Sequence, residues 1–235
     1  MGTATLTVDE LHALLKPVIP LAASDDMFPS IAAVHIKAHG DYLTAAATDR
    51  FRAGIQRIRP ADGVSDDFEA LVNINDAKRL LAIHKPVRGK DSLPVTLSVD
   101  DGVLWSESTG GFGFDLGSAR LGMLLVLGQF PNLAALFTAP IDSVDDPGDL
   151  LLDIALLAGF KSAAEVNRGD DRAPGLIMRK AGANKPVMIH AGEDFVGLIM
   201  QRKLDGKSEC PADWVDSWRD HFGMNPVDRR EKASA

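Results

Sequence analysis

Apolar and polar residues alternate in short runs that are broken by turn residues, with helix-like spacing between some of them. Thr3 to Val8 alternates and predicts a first strand. Leu11, Leu14, Leu15 and Val18 then fall at helical spacing; Asp9 is the expected N-cap, and Pro17 and Pro20 should limit the C-terminal end. Ile31 to Lys37 alternates again and predicts a second strand, turned at His39-Gly40-Asp41 into a strand of small residues. That strand runs into Thr48-Asp49-Arg50-Phe51-Arg52, and Ala53 to Ile58 leaves as the next.

After the turn-rich, acidic connector Arg59 to Asp67, the same order recurs. Phe68 to Asn73 reads as a strand, and Asn75 or Asp76 should cap a helix through His84 that Pro86 stops. Leu93, Val95, Leu97 and Val99 alternate with polar residues, Asp100-Asp101-Gly102 is a hairpin turn, and Val103–Glu107 and Phe112–Leu116 supply two more strands. Two strand-helix-three-strand units of about 60 to 70 residues make an internal repeat of pattern rather than of letters. A third, abbreviated unit opens at Asp145 to Asp149, continues as an apolar helix from Leu150 to Phe160, and passes a loop at Asn167 to Arg172. It ends in strands at Pro174–Lys180, Lys185–Ala191 and Phe195–Lys203. The boundaries expected are 1–138 for a domain of two units, 139–204 for a shortened second one, and 205–235 for a helical tail. In that tail Trp214, Trp218 and Phe222 share a helix face that either covers the last sheet or docks a partner.

Composition changes this picture little. At 235 residues, 46% hydrophobic and 25% charged, the chain is globular in character. One cysteine, Cys210, excludes an internal disulfide framework and a multi-cysteine zinc site, and fits a reducing cytoplasm. The N-terminal segment lacks the basic-then-apolar pattern of a secretory signal, and no apolar run is long enough to span a bilayer. A net charge of −8 argues against indiscriminate coating of nucleic acid. Its distribution adds something: from Asp76 to Lys90 there are five cations against one anion, which reads either as a solvated helix face or as a basic stripe.

The chain has no phosphate-cradling glycine loop, dinucleotide fingerprint, nucleophile elbow or paired-histidine zinc motif. Its six histidines (His12, His35, His39, His84, His190, His221) keep no metal-ligand spacing. No catalytic residue, cofactor or metal is therefore expected, and the chain does not read as an enzyme.

Three stretches, in order over about 200 residues, carry a resemblance. They are Ala47-Thr48-Asp49-Arg50-Phe51-Arg52, Gly128-Gln129-Phe130-Pro131-Asn132-Leu133, and Phe195-Val196-Gly197-Leu198-Ile199-Met200-Gln201-Arg202. They resemble the Ala-Thr-Asp-x-x-Arg, Gly-x-Phe-Pro-Asp/Asn and closing Met-Pro-Met-Arg stretches of the bacterial sliding clamp, the beta subunit of DNA polymerase III. The resemblance implies an α+β chain with the DNA clamp fold, built from antiparallel sheets and paired helices. It also implies a replication processivity factor, bacterial or from a phage, that encircles duplex DNA without covalent chemistry and receives a polymerase and a clamp loader through short peptides. Full-length members carry three domains of two units each. This chain matches about half of one, so closure would need a homo-oligomeric ring of three or four copies. The alternative is a clamp-like adaptor or decoy that binds replication proteins without encircling DNA.

The same resemblance implies two sets of residues. Lys16, Lys78, Arg79, Lys85, Arg88 and Lys90 would face DNA, where confined phosphate attraction can stay weak enough to slide. Ile31, Thr48, Arg50, Phe51, Arg52 and Ala53 would line one side of a partner-peptide groove, and Leu198, Met200, Gln201 and Arg202 the other. The chain departs from the pattern at Gln201, where the family has proline, and at Phe51 and Ala53, which change the size of the side chains beside the pocket. Read without the resemblance, Asp49 caps a turn and Arg50 and Arg52 are surface cations.

Overall fold

The first strand, β1 (Gly2–Thr7), hydrogen-bonds to a strand from the second unit of the repeat rather than to its own. The computed structural model describes residues 2–25, 27–86, 93–109, 118–133, 136–137, 150–169, 173–180 and 185–202. Helix α1 (Val8–Leu15) follows β1 directly, and its cap is Thr7, not Asp9. Thr7 Oγ accepts from the Glu10 amide at 3.2 Å and Glu10 accepts from the Thr7 amide at 2.7 Å, a reciprocal capping box. The helix stops before Pro17, and a single 3-10 turn (Ile19–Leu21) carries the chain to β2 (Ala33–His39). Gly40, at φ +57°, makes the two-residue turn into β3 (Tyr42–Thr48), which leads to β4 (Arg52–Ile58).

The second unit repeats the order. It consists of β5 (Phe68–Asn73), α2 (Ile74–Ile83), β6 (Pro94–Asp100), β7 (Val103–Thr109) and β8 (Ser118–Leu124). The cap of α2 is Asn73, whose side chain accepts from the Asn75 amide; an Asx cap at the strand end serves better than either residue expected from the sequence. The expected strand at 112–116 lies outside the described residues, and β8 is the partner that β7 takes. The two units exchange their first strands: β1 joins β6-β7-β8 in one antiparallel sheet, and β5 joins β2-β3-β4 in the other.

The third segment has two short helices, α3 (Ile154–Ala158) and α4 (Lys161–Val166), where one continuous helix from Leu150 was expected. Asp153 caps α3 by accepting from the amides of Ala155 and Leu156, so the helix starts there. Strands β9 (Ile177–Lys180), β10 (Val187–Ala191) and β11 (Phe195–Ile199) follow, and β11 pairs with β4 to make one seven-stranded sheet in the order β5-β2-β3-β4-β11-β10-β9. The expected tail, 205–235, and Cys210 lie outside the described residues.

One buried core joins α1 (Leu11, Leu14, Leu15), α2 (Ala77, Leu80) and the inward positions of both sheets, including Leu6, Ile36, Leu43, Leu97 and Leu104. At the β4–β11 seam Gly54 lies opposite Gly197. A Cβ on Gly54 would collide with Leu21 and come within 2.8 Å of the Phe195 ring; one on Gly197 would meet Phe160. The two glycines let Phe160 and Phe195, packed edge to face at 6.1 Å, come close to the strands and join the third segment to the first core.

Candidate nucleic-acid interface and peptide groove

A second, smaller apolar cluster lies apart from the helical core and uses alternate positions of the same strands. Ala46, Ala53, Leu198 and Met188 from β3, β4, β11 and β10 pack with Leu133 and Phe137. Ala53 and Leu198 are direct cross-strand partners and both are buried, so two residues expected on opposite sides of a groove sit side by side in one sheet. Ile31 and Thr48 are also buried. Exposed apolar residues lie at the end of the β4–β11 pair. Phe51 is 56% exposed and Met200 39%, and Phe28, 42% exposed, reaches the same turn through Arg50. The Met200 amide donates to the Phe51 carbonyl at 2.8 Å, which extends the β4–β11 pairing past the end of the strands and holds both side chains at one rim.

The turn that carries this rim is tightly bonded. Asp49 Oδ1 accepts from the amides of Phe51 (3.0 Å) and Arg52 (2.9 Å), and Thr48 Oγ accepts from the Arg50 amide (3.2 Å). Arg50 sits at φ +78°, a left-handed conformation usually left to glycine or asparagine. Its guanidinium lies 4.4 Å from the centre of the Phe28 ring. Arg52 does something else. Its Nε donates to Asp49 at 2.9 Å, and its two terminal nitrogens donate to the carbonyls of Leu156 and Pro20, each at 2.8 Å. With 14% of its side chain exposed, it fastens α3 and the 3-10 turn to the β3–β4 turn beneath the rim. Of the remaining groove residues, Gln201 donates to the Lys185 carbonyl, and the Arg202 amide donates to Leu151 with its side chain exposed.

A cleft of about 630 Å³ opens beside the small cluster, between the strands and residues 125–133. His35 stands in it, stacked on Phe130 at 4.9 Å and 2.7 Å from Glu69. None of the expected groove residues lines this cleft. Phe28, which packs against the Arg50 guanidinium, is not among the residues expected from the sequence. The available signal was a pair of large apolar residues in the Asp25-to-Ser30 turn region, directly before Pro29.

The cations expected at DNA are less uniform. Lys16 near the end of α1, Lys78 on α2 and Lys85 just after it are exposed, and α1 and α2 are packed neighbours. Arg79 is also exposed, but donates to Asp76 at 3.2 Å within its own helix. Arg88 and Lys90 lie outside the described residues. Between the helices, His12 Nε2 donates to the His84 carbonyl at 2.6 Å, and the buried His84 ring shares a hydrogen bond with Ser106 Oγ at 3.2 Å. Burial, and secondarily the nearby His12, hold the His84 pKa below its ordinary value. Among the described residues no cluster of His, Cys, Asp or Glu could hold a metal ion, and no helix is long and apolar enough to cross a membrane.

No family model matches the chain. Over 144 residues it is 30% identical to a beta sliding clamp of Micrococcus luteus, an alignment that covers 60% of this chain and 42% of that one. In fold it is similar to the DNA polymerase III beta subunit of Thermotoga maritima, with a TM-score of 0.66 at 12% identity, covering 87% of this chain and 66% of that chain. A DNA polymerase sliding clamp of Pseudomonas aeruginosa gives 0.63 at 12% identity, covering 86% and 67%. The fold is thus the α+β DNA clamp fold expected from the sequence, and the resemblance to the beta sliding clamps is borne out. The chain spans less than half the length of the Micrococcus clamp and about two thirds of the solved ones.

Proposed function

We propose that this chain, with its DNA clamp fold, acts as a sliding clamp: a processivity factor that closes on duplex DNA as a homo-oligomer and tethers a polymerase. The observation that carries the reading is the 30% identity to a beta sliding clamp over 144 residues, in a chain of that fold. Two features of the chain support it. Strands β8 and β9 each form one edge of a sheet, opposite β1 and β5, so a head-to-tail arrangement that pairs β8 with β9 would extend each sheet into the next copy and close a ring. Lys16, Lys78 and Lys85 expose positive charge on or beside neighbouring helices of an otherwise acidic protein, which suits sequence-independent attraction to phosphate.

Partner peptides would lie along the rim made by Phe51 and Met200, beside the Ala53–Leu198 pair. Apolar anchoring there needs no covalent chemistry, and the reading places the protein in the cytoplasm with the replication machinery. The pairing of Arg79 with Asp76 inside α2 supports a second reading, an adaptor that keeps the peptide groove without encircling DNA.

Light scattering at several protein concentrations, with and without nicked circular DNA, separates the two. A trimer or tetramer retained on circles and released when they are linearised is the expected result. A monomer at every concentration that still binds partner peptides would overturn the ring and leave the adaptor.

A further inference from the structure

We infer that Arg50, stacked on Phe28 at the rim, reads a carboxylate, so that the groove takes an extended peptide in which an acidic residue lies beside an apolar anchor. This rests on the groove proposed above and specifies what enters it. Three observations converge on Arg50. Its backbone is held at φ +78° by a turn in which Thr48 and Asp49 bind the three following amides, so its direction is preset rather than selected on binding. Its guanidinium rests on the Phe28 face, which restrains the long side chain while leaving the N–H edge open to solvent. The carboxylate next to it in sequence, Asp49, is already engaged by Arg52 and two backbone amides, and no ion pair to Arg50 occurs among the described residues.

A planar, restrained guanidinium without an acid of its own, bordering exposed Phe51 and Met200, is complementary to a carboxylate followed or preceded by an apolar side chain. A lysine here would supply charge but neither the fork nor the stacking. Phe28 therefore acts as a positioning residue for Arg50, and Met200, with its adaptable thioether, receives the neighbouring apolar group.

The test uses fluorescence anisotropy of the full chain with labelled, extended peptides that carry two adjacent leucines, made in matched pairs with Asp or Asn at each flanking position. At one position the Asp peptide should bind about tenfold more tightly than its Asn twin, and rising salt should shrink the difference. In Arg50→Gln the preference should fall to about twofold or less, and an unchanged thermal midpoint reports an intact fold. Phe28→Ala should give an intermediate preference. Equal binding of both twins to the wild type, or a preference unchanged in Arg50→Gln, overturns the role of Arg50 and leaves the groove standing. Failure of every peptide to bind overturns the groove and this inference with it.

Discussion

The two arginines of one turn illustrate how residue environment divides labour. Arg52 donates to one carboxylate and two carbonyls from three separate segments, and is largely shielded from water. Its truncation removes three hydrogen bonds and leaves the Asp49 carboxylate without its cation, so Arg52→Ala should lower stability by about 3 kcal/mol in urea titrations. Arg52→Lys should recover only part, because one ammonium cannot span three directions. Arg50 is the opposite case. Replacing it with glycine relieves about 1–2 kcal/mol of left-handed strain but loses about 0.5–1 kcal/mol of cation–π contact and adds chain entropy of similar size. Arg50→Gly should therefore shift stability by less than about 1 kcal/mol in the same titration.

His84 adds a pH dependence with a definite sign. Its neutral form is favoured by burial, so the unfolded chain takes up the proton first. The contribution to stability is complete above histidine's ordinary value of 6.5 and is lost as pH falls from there toward the depressed folded value. The urea midpoint should drop between neutral and mildly acidic pH. The drop should be smaller in His84→Gln, which keeps a partner for Ser106 without a titrating ring.

At the scale of elements, the β4–β11 seam is where the third segment is held. Gly54 and Gly197 leave room for Phe160, Phe195 and Leu21, and close by Gln56 and Asn167 exchange amide hydrogen bonds at 3.1 and 2.9 Å. Gly197→Ala forces a methyl against Phe160 and should cost about 1–3 kcal/mol, read as a lowered thermal midpoint. The α1 capping box makes a milder prediction. Thr7→Ala removes one half of the reciprocal pair and should cost about 1 kcal/mol in the same assay.

For the whole molecule, the proposed ring ties assembly to the edge strands β8 and β9. A charge or proline placed on β8, for example Leu121→Lys or Leu121→Pro, should reduce the mass seen by light scattering if β8 meets a neighbouring copy. An unchanged mass would remove β8 from the interface. Neutralising Lys78 and Lys85 together should weaken retention on nicked circles and flatten its salt dependence, because counterion release scales with the phosphates contacted.

Much of this architecture was readable along the chain. Alternation marked β1 to β7 and β9 to β11, helical spacing marked α1 and α2, and Gly40 and Gly102 marked their turns. Periodicity is local and records which side chains turn away from water, so the repeated units followed from it directly. It could not say which strand lies beside which. The exchange of β1 and β5 between units and the joining of β11 to β4 are long-range pairings, which depend on the fit of side chains distant in sequence. The site divides in the same way. The Thr48–Ala53 stretch was visible as a motif, but an arginine at a turn looks alike in sequence whether it faces solvent or bridges buried carbonyls. Three-dimensional packing brought Pro20 and Leu156 to Arg52, and Phe28 to Arg50, because desolvation and hydrogen-bond satisfaction act between whichever groups the folded chain brings together.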